Sequence, residues 1–325
     1  MKQERFVAMH AAEWEQLEAW LRQAELKAGP AMRSPQALDF PEAYRRLCHH
    51  LSLALARGYS REVTERLQRA VDRGHRLLYR PPAPRWQRAA VFLIAGFPRL
   101  VRQEWRCMVL AALLLYVPAI VTFVLVLLKP DFAHTVFSGM QLAQFEQMYD
   151  PSNDHIGRTN GTDLAMFGFY IMHNVGTAFR TFGSGVIVGI GAVYVLALNG
   201  VILGTLAGHL AHIGYGAPFW RFVVAHAAFE LTAIVIAGGA GLRLGLTLLA
   251  PGRQARGQAM VRAGWIGAQL ALGAFAMLVV AAFIEAFWSS VASFPDLLKY
   301  GSAALLWIFV GYWLLRGGRE ADDAT

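Results

Sequence analysis

Inside the apolar run 222–249, His226 and Glu230 stand four residues apart. On a helix that spacing puts an imidazole and a carboxylate on one face, about one turn from each other. A third ionisable group, Glu285, sits near the end of another apolar stretch, and Asn199, Asn174 and His173 interrupt two more. An ionisable side chain in mid-bilayer costs about 2.5–3.5 kcal/mol on insertion scales, so each of these residues asks for a partner or a task. Three chemistries are open to them. His226 and Glu230 can pair with each other or with Asn199 or Asn174 as polar glue between helices. The carboxylates can carry a proton or another cation, with His226 as a relay. His209-x-x-His212 together with His226-x-x-x-Glu230 also supplies zinc-type ligands. There is, however, no HExxH motif and no Ser or Cys beside a base in the apolar core. The expectation is therefore a non-enzymatic protein without catalytic residue, metal or cofactor.

Positioning such a cluster takes a bundle of membrane helices, and the composition fits one: 325 residues, 56% hydrophobic, 16% charged, mean hydropathy +0.38. The fold expected is all-α, a polytopic integral membrane protein with an N-terminal cytosolic helical region. Charge is segregated. Residues 1–106 hold 19 Lys/Arg against 11 Asp/Glu, and residues 107–325 hold 11 of each. A basic region next to the first apolar span suits anionic lipids as partners rather than nucleic acid. Two cysteines, Cys48 and Cys107, support neither a disulfide framework nor a cysteine zinc site.

Residues 1–83 read as three amphipathic helices. The first, over 5–26, has Phe6, Met9, Trp14, Leu17, Trp20 and Leu21 as its apolar side and ends at Ala28-Gly-Pro30. The second opens at Ser34-Pro35 and continues through Tyr44, Leu47 and Leu51 to Leu55. The third starts at Ser60-x-x-x-Thr64 and buries Leu67, Val71 and Leu77-Leu78. His49-His50 and His75 are expected to be structural or surface histidines. After a proline-rich break at 80–84, residues 84–106 mix apolar side chains with arginines around Pro98, as an elbow helix in the membrane interface does.

The transmembrane region expected over 107–318 begins with 22 uncharged residues, 107–128. A polar extracytoplasmic loop, 130–163, carries one surface helix. Residues 164–179 form a short apolar segment, and 181–220 contain no charge, with Asn199-Gly200 marking a break. Glycines at four-residue spacing, Gly185 and Gly189, then Gly200, Gly204 and Gly208, with Gly241 and Gly245 later, allow close helix packing. That packing lies within the subunit or, in the sharper reading, along the seam of a homodimer. If 164–179 crosses, six spans put Arg180, Arg253, Arg256, Arg262, Arg316 and Arg319 on the side of the basic N-terminal region, which the positive-inside rule favours over five spans. Both ends of the chain are then cytosolic at a bacterial inner membrane, with an acidic, disordered tail over 319–325.

Several of these stretches occur together in one known family. Tyr79-Arg80, the Phe97-Pro98-Arg99-Leu100 elbow, His173-Asn174 and Asn199-Gly200-x-x-x-Gly204 are four of them. The others are His226-x-x-x-Glu230 with Gly238-Gly-Ala-Gly-Leu242, and Ala281-Ala-Phe-Ile-Glu285-Ala-Phe287. Over nearly its whole length the chain resembles the stage II sporulation protein M family, in the longer form found in bacteria that do not sporulate. The family often has Pro-His-Gly where this chain has Ala225-His226-Ala227. The resemblance implies a membrane scaffold or assembly partner for envelope proteins, the sporulation member being a partner of extracytoplasmic peptidoglycan-degrading proteins. A proton- or cation-coupled transporter or channel built on His226, Glu230 and Glu285 is the alternative.

Overall fold

The computed structural model describes residues 1–26, 35–79, 84–158 and 162–319. The expected break at 28–30, all of the break at 80–84 but Pro84, Ser34 at the start of the second helix and the tail from Glu320 onward lie outside the described residues. Among the described residues every regular element is helical, apart from one isolated β-bridge between His155 and Val291. The chain divides into two compact units, Met1–Pro84 and Arg85–Thr325.

The first unit consists of α1 (Gln3–Leu26), α2 (Pro35–Ala56) and α3 (Arg61–Leu78). Phe6, Trp14, Trp20 and Leu21 are buried on α1, but Met9 is exposed, because it falls a quarter turn off their stripe. On α2 the stripe is Phe40, Leu47, Leu51 and Ala54, with Leu55 outside it. On α3, Leu67 is joined by Ala70 and Gly74 rather than by Val71 and Leu78: Val71 is half-buried and Leu78 exposed. Gly74 allows the Tyr44 ring to lie against its Cα. Ion pairs lace the rims: Glu13–Arg46 at 2.7 Å, Glu18–Arg66 at 2.9 Å and Glu25–Arg73 at 2.6 Å. Ser60 does not cap α3 with its hydroxyl; Gln3 donates to that hydroxyl and accepts from the Ser60 N–H.

The second unit opens with α4 (Arg85–Val91), a π-helical turn Phe92–Gly96, and α5 (Phe97–Gln103). Pro98 has no N–H to offer the preceding turn and crowds the carbonyl four residues back, and the chain answers with a widened turn immediately before it. Then come α6 (Trp105–Leu128), α7 (Ala133–Val136), α8 (Gly139–Met148), α9 (Asp163–Ser184), α10 (Ile190–His212), α11 (Gly216–Leu249), α12 (Arg256–Ile284) and α13 (Asp296–Arg316). A second π-helical turn, Glu285–Ser289, closes α12.

Five of these helices, α6, α10, α11, α12 with its terminal turn, and α13, are long and apolar enough to cross a membrane. The sixth crossing expected over 164–179 is not among them. Its helix α9 has 22 residues, a spanning length, but His173, Asn174 and Arg180 lower its hydropathy. α9 nevertheless packs along its length antiparallel to α12: Phe167 meets Phe283 and Phe287, Asn174 reaches Glu285, and Phe182 lies against Gly267. Of the other neighbours, α6 is parallel to α10 and α10 is antiparallel to α11. Leu115 to Val126 of α6 run beside Gly200 to Gly208 of α10, while Gly189, Ala192 and Leu196 face Gly245, Gly241 and Gly238 of α11. The break in the uncharged stretch 181–220 falls at 185–189, not at Asn199-Gly200. The turn needs left-handed backbone at Val188 (φ 51°) and Gly189 (φ 80°). Asn199 and Gly200 lie in mid-helix, where Asn199 donates to the Val195 carbonyl one turn back.

All seven glycines expected at packing seams are used inside the chain. Gly185 meets Gly241, Gly189 meets Gly245, and Gly200, Gly204 and Gly208 receive Leu115, Ala119 with Thr122, and Phe123 with Val126 of α6. The glycine face of α10 is therefore filled by the chain's own α6, and a homodimer would have to use another surface. α11 is the most buried of the five long helices and forms the centre of this unit.

Candidate functional site

α11 carries His226 and Glu230 into the bundle one turn apart, with His226 Nε2 at 3.7 Å from Glu230 Oε2. That is an ion-pair distance but too long for a hydrogen bond. Glu285 comes from the opposite direction, as the first residue of the π-helical turn that ends α12. The widened turn also changes which side chains face α11, and it brings Ser289 Oγ to 3.1 Å from His226 Nδ1. From α9, Asn174 Nδ2 donates to Glu285 Oε2 at 3.3 Å. His226, Glu230 and Glu285 each offer a ligand atom, all within 4.8 Å of one another.

The six polar residues singled out in the sequence, His226, Glu230, Glu285, Asn199, Asn174 and His173, line one cavity of about 280 Å³. They hold different stations in it. His226, Asn174 and Glu285 are buried, whereas Glu230 keeps 19% of its side-chain surface open. His173 is an exposed residue at the margin, stacked on Phe169 with ring centres 5.9 Å apart. Asn199 lines the wall while its amide is held within its own helix.

Sequence reasoning missed several contributors. The Tyr170 ring lines the cavity, and its hydroxyl is buried with no hydrogen-bond partner among the described residues. Tyr149 and Gly157, from the loop between α6 and α9, complete the wall on that side. Gly157 (φ 79°) leaves its Cβ space to the Phe222 ring, which packs edge-on against His226 at 5.1 Å. Lys299, which the sequence reading did not single out, is fully buried in the first turn of α13. Its ammonium donates to the carbonyls of Trp288 at 2.6 Å and Ser289 at 2.9 Å. A lone lysine beside an apolar run and the Ser289-Ser290 pair were the available signals.

His209 and His212 do not join the cluster. His209 Nε2 lies 2.8 Å from Glu146 Oε1 of α8, and His212 is exposed. The loop carrying α8 is thereby tied to the bundle, with further bonds from Tyr215 to Asp150 and from the Ile156 N–H to the Ser290 carbonyl. Ser138 and Gln141 cap α8 reciprocally. In the N-terminal unit His10, Glu13 and His50 also approach one another. There Trp14 donates to His50 Nδ1 at 3.1 Å and Arg46 already pairs with Glu13, so packing and charge balance account for that group.

Beside the polar cavity lies an apolar one of about 310 Å³ between α6, α10, α11 and α13, and Leu203, Val223, Ala227 and Leu231 line both. The arrangement is thus a chamber lined by two carboxylates, two imidazoles, two amides and two phenols, set in an apolar bundle.

Comparison with known families matches residues 109–290 to the family model described as stage II sporulation protein M, and residues 4–80 to a domain of unknown function (DUF8413). The first match contains the entire polar cluster and both glycine seams. No curated protein and no solved structure matches the chain.

Proposed function

The chain belongs to the stage II sporulation protein M family, and from that premise we propose that it works at an intramembrane cation-binding chamber, coupling binding or passage of a cation to an envelope process. The observation that supports this is the convergence of His226, Glu230 and Glu285 on one cavity of about 280 Å³. Polar glue alone would bring such groups together in a dry contact, each satisfied by the other. Here the His226–Glu230 separation of 3.7 Å is bridged by no direct hydrogen bond, and Glu230 keeps access to the cavity. In this reading Glu230 is the member that meets an incoming cation. Glu285, oriented by Asn174, and His226, oriented by Ser289, hold it. Reconstitution in liposomes tests the reading: wild type passes or binds a cation, and Glu230→Gln, which keeps shape and hydrogen bonding, abolishes it. Equal flux or binding in wild type and variant overturns it.

A scaffold role, which the family resemblance implies, is favoured by a separate observation: the loop with α8 is folded firmly onto the bundle and presents Met140, 84% exposed, at its outer face. An ordered loop outside the bilayer is a platform for another envelope protein. A photo-crosslinker at Met140 should capture such a partner in cells, and no adduct would remove the support.

The reading places the protein in a bacterial inner membrane with its N-terminal unit in the cytosol. With α9 crossing, Arg106, Arg180, Arg253, Arg256, Arg262, Arg316 and Arg319 gather at one end of the bundle, as positive-inside asymmetry requires. The elbow, with Trp86, Val91, Ile94 and Trp105 all exposed, then lies in the interface against anionic lipid.

A further inference from the structure

We infer that His226, Glu230 and Glu285 form a binding site for a divalent transition-metal ion of the Zn²⁺ class, with one coordination position left open to the cavity. The inference rests on the cation-chamber reading above and specifies its ligand.

Four observations lead there. The three side chains supply one nitrogen and two oxygens, a donor set that suits Zn²⁺ and its first-row neighbours. Their ligand atoms lie within 4.8 Å of one another, and His226 Nε2 and Glu230 Oε2 within 3.7 Å. Metal–ligand bonds of about 2.0–2.2 Å imply ligand separations of roughly 3.5 Å in a tetrahedron, within reach of small side-chain rotations. The same geometry gives two of the three ligands, His226 and Glu285, the outer partner that metal ligands commonly have. Ser289 Oγ lies at 3.1 Å from the far nitrogen of His226, and an Nδ1–H donated to it leaves the Nε2 lone pair aimed at the carboxylates. Asn174 holds one oxygen of Glu285 at 3.3 Å and leaves the other free.

The third observation is charge. Two carboxylates and a neutral imidazole present acceptors to one another, and a divalent ion would neutralise the pair. The fourth is independent of the cluster. The hydroxyl of Tyr170, which is only 5% exposed, borders the same cavity as Glu285 and has no partner among the described residues. A buried hydroxyl is seldom left unsatisfied. A ligand in the fourth metal position gives it a partner, and three protein ligands with one open position is the arrangement of zinc sites that bind a further molecule.

The sequence groups these three residues, but not their geometry as ligands, which depends on the π-helical turn that carries Glu285, 55 positions beyond Glu230.

The test uses the full-length protein purified in detergent, treated with chelator and titrated calorimetrically with Zn²⁺ alone. The expected result is one Zn²⁺ per chain, with X-ray absorption showing only nitrogen and oxygen neighbours, one of them imidazole. Glu285→Gln should abolish binding. Should that variant fail to fold, Ser289→Ala, which removes only the outer partner, should weaken binding by about 10–100-fold. No Zn²⁺ binding by wild type, a sulfur neighbour from Cys107, or unaltered affinity in Ser289→Ala with Glu285→Gln would overturn the inference. Absent Zn²⁺ binding together with Glu230-dependent flux of another cation would leave the chamber reading standing and remove the metal. Loss of both would remove the two together.

Discussion

Lys299 donates its ammonium to the carbonyl oxygen of Ser289 at 2.9 Å, and the hydroxyl of the same serine stands 3.1 Å from His226 Nδ1. A fully buried cation thus secures the backbone of the residue that orients the central imidazole. The π-helical turn leaves carbonyls at the end of α12 without helical partners, and Lys299 takes two of them. Lys299→Met keeps the stem's volume and removes the donor. With charged hydrogen bonds contributing about 1.5–3 kcal/mol each, it should lower the thermal midpoint of the purified protein and loosen the Glu285–Ser289 turn. A melting curve superimposable on wild type would show that the ammonium is dispensable there.

The glycine seams make a second, quantitative contrast. A methyl at Gly204 would strike the Ala119 carbonyl and the Thr122 hydroxyl of α6, whereas a methyl at Gly168 of α9 meets nothing within 4 Å. Gly204→Ala should destabilise by about 1–3 kcal/mol through overpacking. Gly168→Ala should be neutral or stabilising by up to about 1 kcal/mol, since it removes only a helix penalty. Thermal unfolding of both in the same detergent checks the pair. Similar behaviour of the two would mean that α6 and α10 are not in backbone contact.

In the N-terminal unit, Trp14 donates its indole N–H to His50 Nδ1 at 3.1 Å, which requires an unprotonated nitrogen there. Burial, and next the neighbouring His10, push the His50 pKa below the ordinary histidine value. With the folded pKa depressed, the unfolded chain takes up the proton first as pH falls. Stability is therefore intact above about 6.5, the ordinary value, and declines as the pH drops from there through the folded pKa. Hydrogen exchange of α1 in the intact protein, corrected for intrinsic rates, should show weaker protection at pH 5.5 than at pH 7.5. His50→Gln, which can accept the indole bond without titrating, should flatten that difference. An unchanged pH dependence would assign it to other groups.

How far the site could be read in the sequence depends on how local its cause is. The i, i+4 spacing of His226 and Glu230 is a local property of one helix, and α11 preserves it. That Glu285 meets them depends on antiparallel packing of α11 and α12 and on a turn whose period departs from 3.6 residues, which no apolar pattern announces. Tyr170 and Ser289 were not singled out, because their task lies across the bundle. Asn199-Gly200 read as a break because a glycine that admits a neighbouring helix and one that turns the chain look alike in a sequence. Only the structure separates Gly200, against Leu115 of α6, from Gly189, with its positive φ. In the first unit, stripe position decided burial, so Met9 and Leu55, apolar but off-stripe, are exposed.

The direction of α9 decides the sidedness of everything after it. α9 packs antiparallel to α12, so the turn at 185–189 and the basic loop at 250–255 share the end of the bundle where α6 begins. The loop carrying α8 lies at the other end. Were α9 to lie on the surface without crossing, the basic loop and α8 would be on the same side. Gly139 and Gly257 have open space around the Cβ position, so single cysteines can be placed there after Cys48 and Cys107 are replaced by serine. In sealed inside-out and right-side-out vesicles, a membrane-impermeant thiol reagent should label Gly139→Cys and Gly257→Cys from opposite sides. Labelling of both from one side would mean that α9 does not cross. His173, Asn174 and Arg180 would then lie in the interface, and Asn174 could not hold Glu285 inside the bundle.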